Sequence, residues 1–169
     1  MSYEKNKVEW CLKKARIELE KEGKHRGLIQ VKPDLELAKK YIQKAEHYLK
    51  ATNYLRKGHF SDISASTVFY SMYHCLLAIA IKFGYESRNQ ECTFALIFNL
   101  IEENKIDFEK ELLNKIASLN IKESDGKTSI EIREQYQYGT SLSIKDKLYN
   151  ELFELAKEVI SKTKEIIEE

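Results

Sequence analysis

The sequence predicts an all-α fold, an antiparallel helical bundle built as one domain. Three observations predict it. One proline and six glycines in 169 residues leave long stretches with nothing to interrupt a helix. Charged residues make up 33% of the chain, the proportion expected of helices with solvated outer faces. Apolar residues recur at three- and four-residue steps, and nowhere does a sustained period-two strand pattern appear.

The elements follow in order. Over residues 4–22, Val8, Cys11, Leu12, Ala15 and Leu19 share one stripe and predict a first amphipathic helix. The segment KEGKHRGLIQVKPD carries Gly23, Gly27 and Pro33 and reads as a connector. Residues 1–33 are thus expected as an N-terminal helix plus connector, with 34–169 as the core bundle. From Asp34 to about Lys57, the residues Leu35, Ala38, Ile42, Ala45, Leu49 and Thr52 form a packing seam. Gly58 suits a left-handed cap behind it.

Ser61 or Asp62 is the expected N-cap of a third helix over roughly 62–83, apolar around most of its circumference. Gly84 stops it, and ESRNQE reads as a short turn. Thr93 to Glu103 continues as a fourth helix and Asp107 to Leu119 as a shorter one. NIKESDGKTS is the most polar loop, followed by a brief helix from Ile130 to Tyr138. Leu148, Leu152, Leu155, Val159 and Ile166 stripe a long C-terminal helix.

Composition excludes several classes of function. With 28 basic and 27 acidic residues, net charge exerts no overall pull toward nucleic acid or anionic membranes. The N-terminus lacks the apolar run of a secretory signal. Residues 68–81 are the best membrane candidate, but they contain Ser71 and His74 and are too short to span, so a soluble protein is expected. Cys11, Cys75 and Cys92 are scattered with no CxxC pair, which favours a reduced cytoplasmic setting and treats Cys75 and Cys92 as small buried hydrophobes. No HxxxH or HExxH pair places two imidazoles on one helical face, and no phosphate-loop or nucleophile-elbow motif occurs. The expectation is no metal and no cofactor.

Two clusters remain as ligand-binding candidates. The first is Arg133, Tyr136 and Tyr138 in IREQYQYG, a cation with aromatics able to stack on a base and hold phosphate. A structural ion pair is the competing reading of Arg133. The second is Arg88 and Asn89 in SRNQECT with Tyr73 and His74 in YSMYHCLL. Free backbone N–H groups at the start of the fourth helix would favour an anion beside Arg88. The plainer alternative makes Arg88 a surface arginine at a turn and Asn89 a cap. His74 reads most simply as a core histidine bonded to backbone or a tyrosine. Tyr73 and His74 are adjacent, so at least one must turn into packing.

WCLKKARIEL, the block from LAKKYIQKAEHYLKATNYL through FYSMYHCLLAIAIKFGYESRNQECTFALI, and REQYQY together resemble the HEPN (higher eukaryotes and prokaryotes nucleotide-binding) family, in an archaeal branch. The match extends over residues 10 to about 160, with the AE-x-YL-x-A helix and the entry into FYSMYH as its strongest block. The resemblance implies a HEPN-like bundle that carries an extra N-terminal helix and shorter peripheral helices. It implies a homodimer formed through long helices, and as partners a minimal nucleotidyltransferase antitoxin, nucleotide or RNA. Catalytic members are metal-independent ribonucleases in which an arginine is followed, four to six residues on, by a histidine. None of the five arginines here has that histidine, and Arg133 with Tyr138 stands nearest. A phenol with an ordinary pKa near ~10 is a poor base at neutral pH. Related sequences also often place histidine where this chain has Gln90. The expected function is a noncatalytic or weakly active nucleotide- or RNA-binding module. A divergent ribonuclease toxin using Arg133 and Tyr138 is one alternative, and a helical protein-interaction module is another.

Overall fold

The computed structural model describes residues 2–117 and 138–169. Among them are six helices and two short strands: α1 (Tyr3–Glu22), β1 (Leu28–Gln30), α2 (Leu35–Lys57), α3 (Ser61–Lys82), β2 (Tyr85–Ser87), α4 (Gln90–Glu102), α5 (Lys110–Ala117) and α6 (Asp146–Glu168). The expected helix from Ile130 to Tyr138 falls almost wholly outside the described residues, as does the polar loop before it.

Local chemistry sets most boundaries. Ser2 caps α1 by accepting from Lys5 N–H at 3.2 Å, and Asp34 caps α2 by accepting from Leu37 N–H at 2.9 Å. Gly23 closes α1 in the left-handed region at φ 69°. Gly58 does not adopt the left-handed cap expected of it, because its φ is −83°, and His59 takes the positive angle, φ 65°, instead. Neither Ser61 nor Asp62 is the N-cap of α3, since the helix starts at Ser61 behind Phe60 with no side-chain cap.

α2 and α3 form an antiparallel hairpin with the most extensive packing in the molecule. Two polar links fix its register: buried Ser71 donates to the Ala45 carbonyl at 2.7 Å, and the Thr52 and Thr67 hydroxyls meet at 2.7 Å. α6 packs along both helices, parallel to α3 and antiparallel to α2. At one end Ile144 N–H donates to Ser61 Oγ at 3.0 Å, and at the other Lys82 reaches the Ile166 carbonyl. A Glu46–Lys164 ion pair ties α6 to α2. α3 is therefore packed on several sides, with Phe69, Met72, Leu76 and Ile79 at most 1% exposed. By length and composition its 22 residues would suffice for a membrane span, contrary to the shorter stretch read from sequence, but 61% of that window is buried inside the protein. That is the placement of a core helix.

Two expectations fail in the N-terminal part. The connector and the ESRNQE turn are not wholly irregular: β1 pairs antiparallel with β2, Leu28 opposite Ser87 and Gln30 opposite Tyr85. Three residues are too few for a period-two pattern to register. Gly84 makes the pairing possible with φ 80°, its carbonyl accepting from Val31 N–H at 2.9 Å. Second, Cys92 is not a free buried hydrophobe. It forms a disulfide with Cys11 that fastens α1 to α4. The expectation of a reducing compartment treated the cysteines as unpaired thiols, and the pair removes that ground. Cys75 alone is free, and burial pushes its thiol up to about 12.

Candidate functional site

The α2–α3 hairpin leaves one aromatic face half-open. Tyr70 and His74 stand one helical turn apart on α3. Opposite them α2 presents Tyr41, Lys44 and Tyr48 at three- and four-residue steps. The His74 ring lies 5.1 Å from that of Tyr48 in a stacked arrangement and 6.1 Å from that of Tyr41. Tyr48 in turn sits 5.9 Å from Tyr70, and Lys44 Nζ lies 5.4 Å over the Tyr48 ring.

The tautomer of His74 follows from the one hydrogen bond it makes among the described residues. Nδ1 lies 2.7 Å from the Tyr70 carbonyl, which can only accept, so Nδ1 carries the proton. Nε2 is then a lone-pair acceptor. The ring as a whole is half-buried. Burial lowers the His74 pKa, and the charge of Lys44 acts in the same direction, against the raising effect of the Tyr70 carbonyl. Burial and the Lys44 charge both favour the neutral imidazole.

β2 and the start of α4 bound this face. Glu86 Oε1 accepts from His25 Nε2 at 2.9 Å and pairs with Arg88 Nε at 2.9 Å. Gly27 N–H donates to the other nitrogen of His25, so this 4%-exposed histidine is satisfied at both ends. The phenol of Tyr41 is raised by burial first and by the charge of Glu86 second, with Arg88 opposing. Tyr73 points the other way from His74, as adjacent helical residues must. Its hydroxyl meets Thr93 Oγ1 at 3.0 Å, and Thr93 donates to the Asn89 carbonyl at 2.9 Å, so Tyr73 is the donor. Its phenol is raised chiefly by burial.

The predicted site residues therefore separate. His74 faces the aromatic surface, and Tyr73 is a structural link to α4. Asn89 spends its side chain as the α4 N-cap, accepting from Cys92 N–H at 3.0 Å. Arg88 is paired with Glu86 yet remains more than half exposed at the rim. Tyr138 is 78% exposed, while Arg133 and Tyr136 lie outside the described residues. Tyr41, Lys44 and Tyr48 were missed. Tyr41 and Tyr48 each precede a seam residue, Ile42 and Leu49, and form a second stripe along the seam's edge. No group of three or more His, Cys, Asp or Glu residues able to hold a metal occurs among the described residues.

The arrangement offers stacking surfaces, a neutral imidazole acceptor and two cations, which is equipment for an aromatic ligand bearing negative charge. The HEPN domain profile matches residues 38–169, and the chain belongs to that family. It is accordingly a nucleotide- or RNA-related module. No curated protein matches the chain. α1 and β1 lie ahead of the matched residues.

Proposed function

We propose that this protein is a noncatalytic or weakly active HEPN module that binds nucleotide or RNA phosphate on the open face of the α2–α3 hairpin. The observation that carries the reading is His74 set among Tyr41, Tyr48 and Tyr70 with Lys44 beside them. A base would stack on the tyrosines, His74 Nε2 would accept from a ligand hydroxyl or amine, and Lys44 would hold phosphate. Arg88 would contribute from the rim, and Arg133, Tyr136 and Tyr138 remain part of the proposed contact set. The lack of an arginine at the ribonuclease spacing before His74 supports binding over turnover. The proposal includes a homodimer and pairing with a minimal nucleotidyltransferase. Support for the dimer comes from the family and from shallow grooves along the α2–α6 seam, lined by Leu35, Ile42 and Ile167 and by Leu49, Phe153 and Ile160.

The test is a titration of a nucleoside monophosphate and a short RNA against wild type, Lys44→Ala and His74→Ala, with RNA integrity followed in parallel. Saturable binding without turnover, weakened in both variants, is expected. No saturable binding, or binding indifferent to both substitutions, overturns the reading. RNA cleavage that disappears in Arg133→Ala would establish the ribonuclease alternative instead.

A further inference from the structure

The outer flank of α1 carries a pattern that the packing of the bundle does not use. Tyr3, Lys7, Trp10, Lys14, Ile17 and Lys21 recur at alternating four- and three-residue steps. At ~100° per residue they fall within an arc of about 80°, roughly a right angle away from the face that buries Val8, Cys11 and Ala15. The apolar members are open to solvent: Tyr3 is 75% exposed, Trp10 51% and Ile17 43%. Isolated exposed apolar residues need no explanation, but three in register with three lysines form a surface.

Within that arc every charge is positive. Lys7 Nζ lies 4.8 Å and Lys14 Nζ 5.1 Å from the Trp10 ring, so the indole is flanked by ammonium groups. Lys7 also pairs with exposed Glu91 at 3.3 Å. Lys14 and Lys21 have no carboxylate partner among the described residues. Glu18, at the edge of the arc, accepts from the backbone N–H of Arg26 at 2.9 Å. The chain's near-neutral total thus conceals a local stripe of one sign.

We infer that the α1 stripe is a second contact surface for single-stranded nucleic acid, with Trp10 as the stacking platform and Lys14 and Lys21 holding the backbone. The inference rests on the reading of this protein as a nucleic-acid module and extends its footprint beyond the α2–α3 face. Complementarity decides the occupant: a polyanion with exposed bases matches lysines alternating with aromatic rings. An anionic membrane matches less well. The stripe offers three apolar side chains in a narrow arc, its neighbouring flank carries Glu9, Lys13, Arg16 and Glu20, and the opposite face is committed to the bundle. From Tyr3 to Lys21 the stripe runs about 27 Å, room for about four nucleotides.

Trp10 is the sole tryptophan among ten tyrosines, so emission excited at the red edge, where only the indole absorbs, reports on this surface. Full-length protein is titrated with an unstructured oligouridylate, with a uridine monophosphate, and with vesicles of phosphatidylserine and phosphatidylcholine. The oligonucleotide should quench Trp10 while the mononucleotide does not. Lys14→Gln and Lys21→Gln should each lower the slope of log affinity against log salt by about 0.7, and Trp10→Leu should weaken binding on the order of tenfold, measured by anisotropy. All three side chains are exposed or half-exposed, and unchanged melting curves will show that the variants fold. Oligonucleotide binding that leaves Trp10 fluorescence unaltered, or whose salt slope survives both lysine changes, overturns the inference and spares the α2–α3 reading. Trp10 quenching by vesicles without quenching by oligonucleotide overturns it in favour of a lipid surface, and no oligonucleotide binding at all overturns it outright. Trp10 quenching by oligonucleotide alongside mononucleotide binding indifferent to Lys44→Ala and His74→Ala upholds the stripe and sinks the α2–α3 site.

Discussion

Breaking the tether between α1 and α4 should cost several kcal/mol and leave the bundle folded. Cys11 and Cys92 are separated by 81 residues, and each is at most 3% exposed. In the chain-entropy account, cross-linking a loop of that length removes about 15 cal/mol/K from the unfolded ensemble, or about 4.5 kcal/mol at 25 °C. For a chain of this size a kcal/mol corresponds to roughly 2–4 °C, so reduction should lower the melting temperature by roughly 10–18 °C. Calorimetry of the wild type with and without a phosphine reductant measures the shift while keeping both sulfurs in place. Thiol counting supplies the control. In denaturant, the unreduced chain should show one reactive thiol, that of Cys75, and the reduced chain all three cysteines. Three reactive thiols without reductant, or a melting temperature indifferent to reduction in a chain that does hold the bond, would refute the reasoning.

Gly84→Ala should destabilise by about 2 kcal/mol or more, because φ is 80° there and an added Cβ would meet the Val31 carbonyl oxygen at 2.9 Å; equal denaturation midpoints would contradict this. Tyr73→Ala should cost about 2–3 kcal/mol as a partly buried aromatic, whereas Tyr73→Phe, which loses only the bond to Thr93, should cost about 1 kcal/mol and leave nucleotide binding intact. Ser71→Ala removes the buried bond to the Ala45 carbonyl and should cost about 1 kcal/mol in urea unfolding. Amide exchange should be slowest in α3, between Val68 and Ile81, and fast exchange throughout that span would contradict its burial.

How far the fold was legible depends on the range of the signal. Asp34 before an apolar period and Gly84 after one are local statements, and both mark helix boundaries where expected. The seam of α2 likewise buries Ala38, Ile42, Ala45 and Thr52, although Leu35 at its start is 44% exposed. Long-range facts had no such trace. Three cysteines permit three pairings, and spacing alone does not choose Cys11 with Cys92. The β1–β2 ladder is decided by Gly84 folding Tyr85–Ser87 back onto Leu28–Gln30, an event of tertiary geometry. His74 could be singled out from sequence, but its neighbours on α2 could not. Tyr41 and Tyr48 reach it only because the hairpin register sets Ala45 opposite Ser71.

The same geometry separates the two halves of the second predicted cluster. An anion at the start of α4 would need Arg88 and the first-turn N–H groups, but Glu86 already engages the guanidinium and Asn89 already accepts from Cys92 N–H. A ligand there would have to compete with both contacts and with Glu91 in the first turn. Among the described residues no side chain competes for His74 Nε2, and the His74 pKa gives the site a pH signature. Folding depresses the pKa, so the unfolded chain binds the proton more readily; the stability tied to neutral His74 is complete above about pH 6.5 and falls as pH drops through the lower folded value. A ligand bonded to Nε2 as acceptor should be released over that same acid range, because protonation converts the acceptor into a donor. Proton NMR of the His74 ring tests both statements in one titration. A midpoint above about 6.5, or nucleotide affinity flat across the His74 transition, would show that the imidazole is not the neutral acceptor on which the proposed site depends.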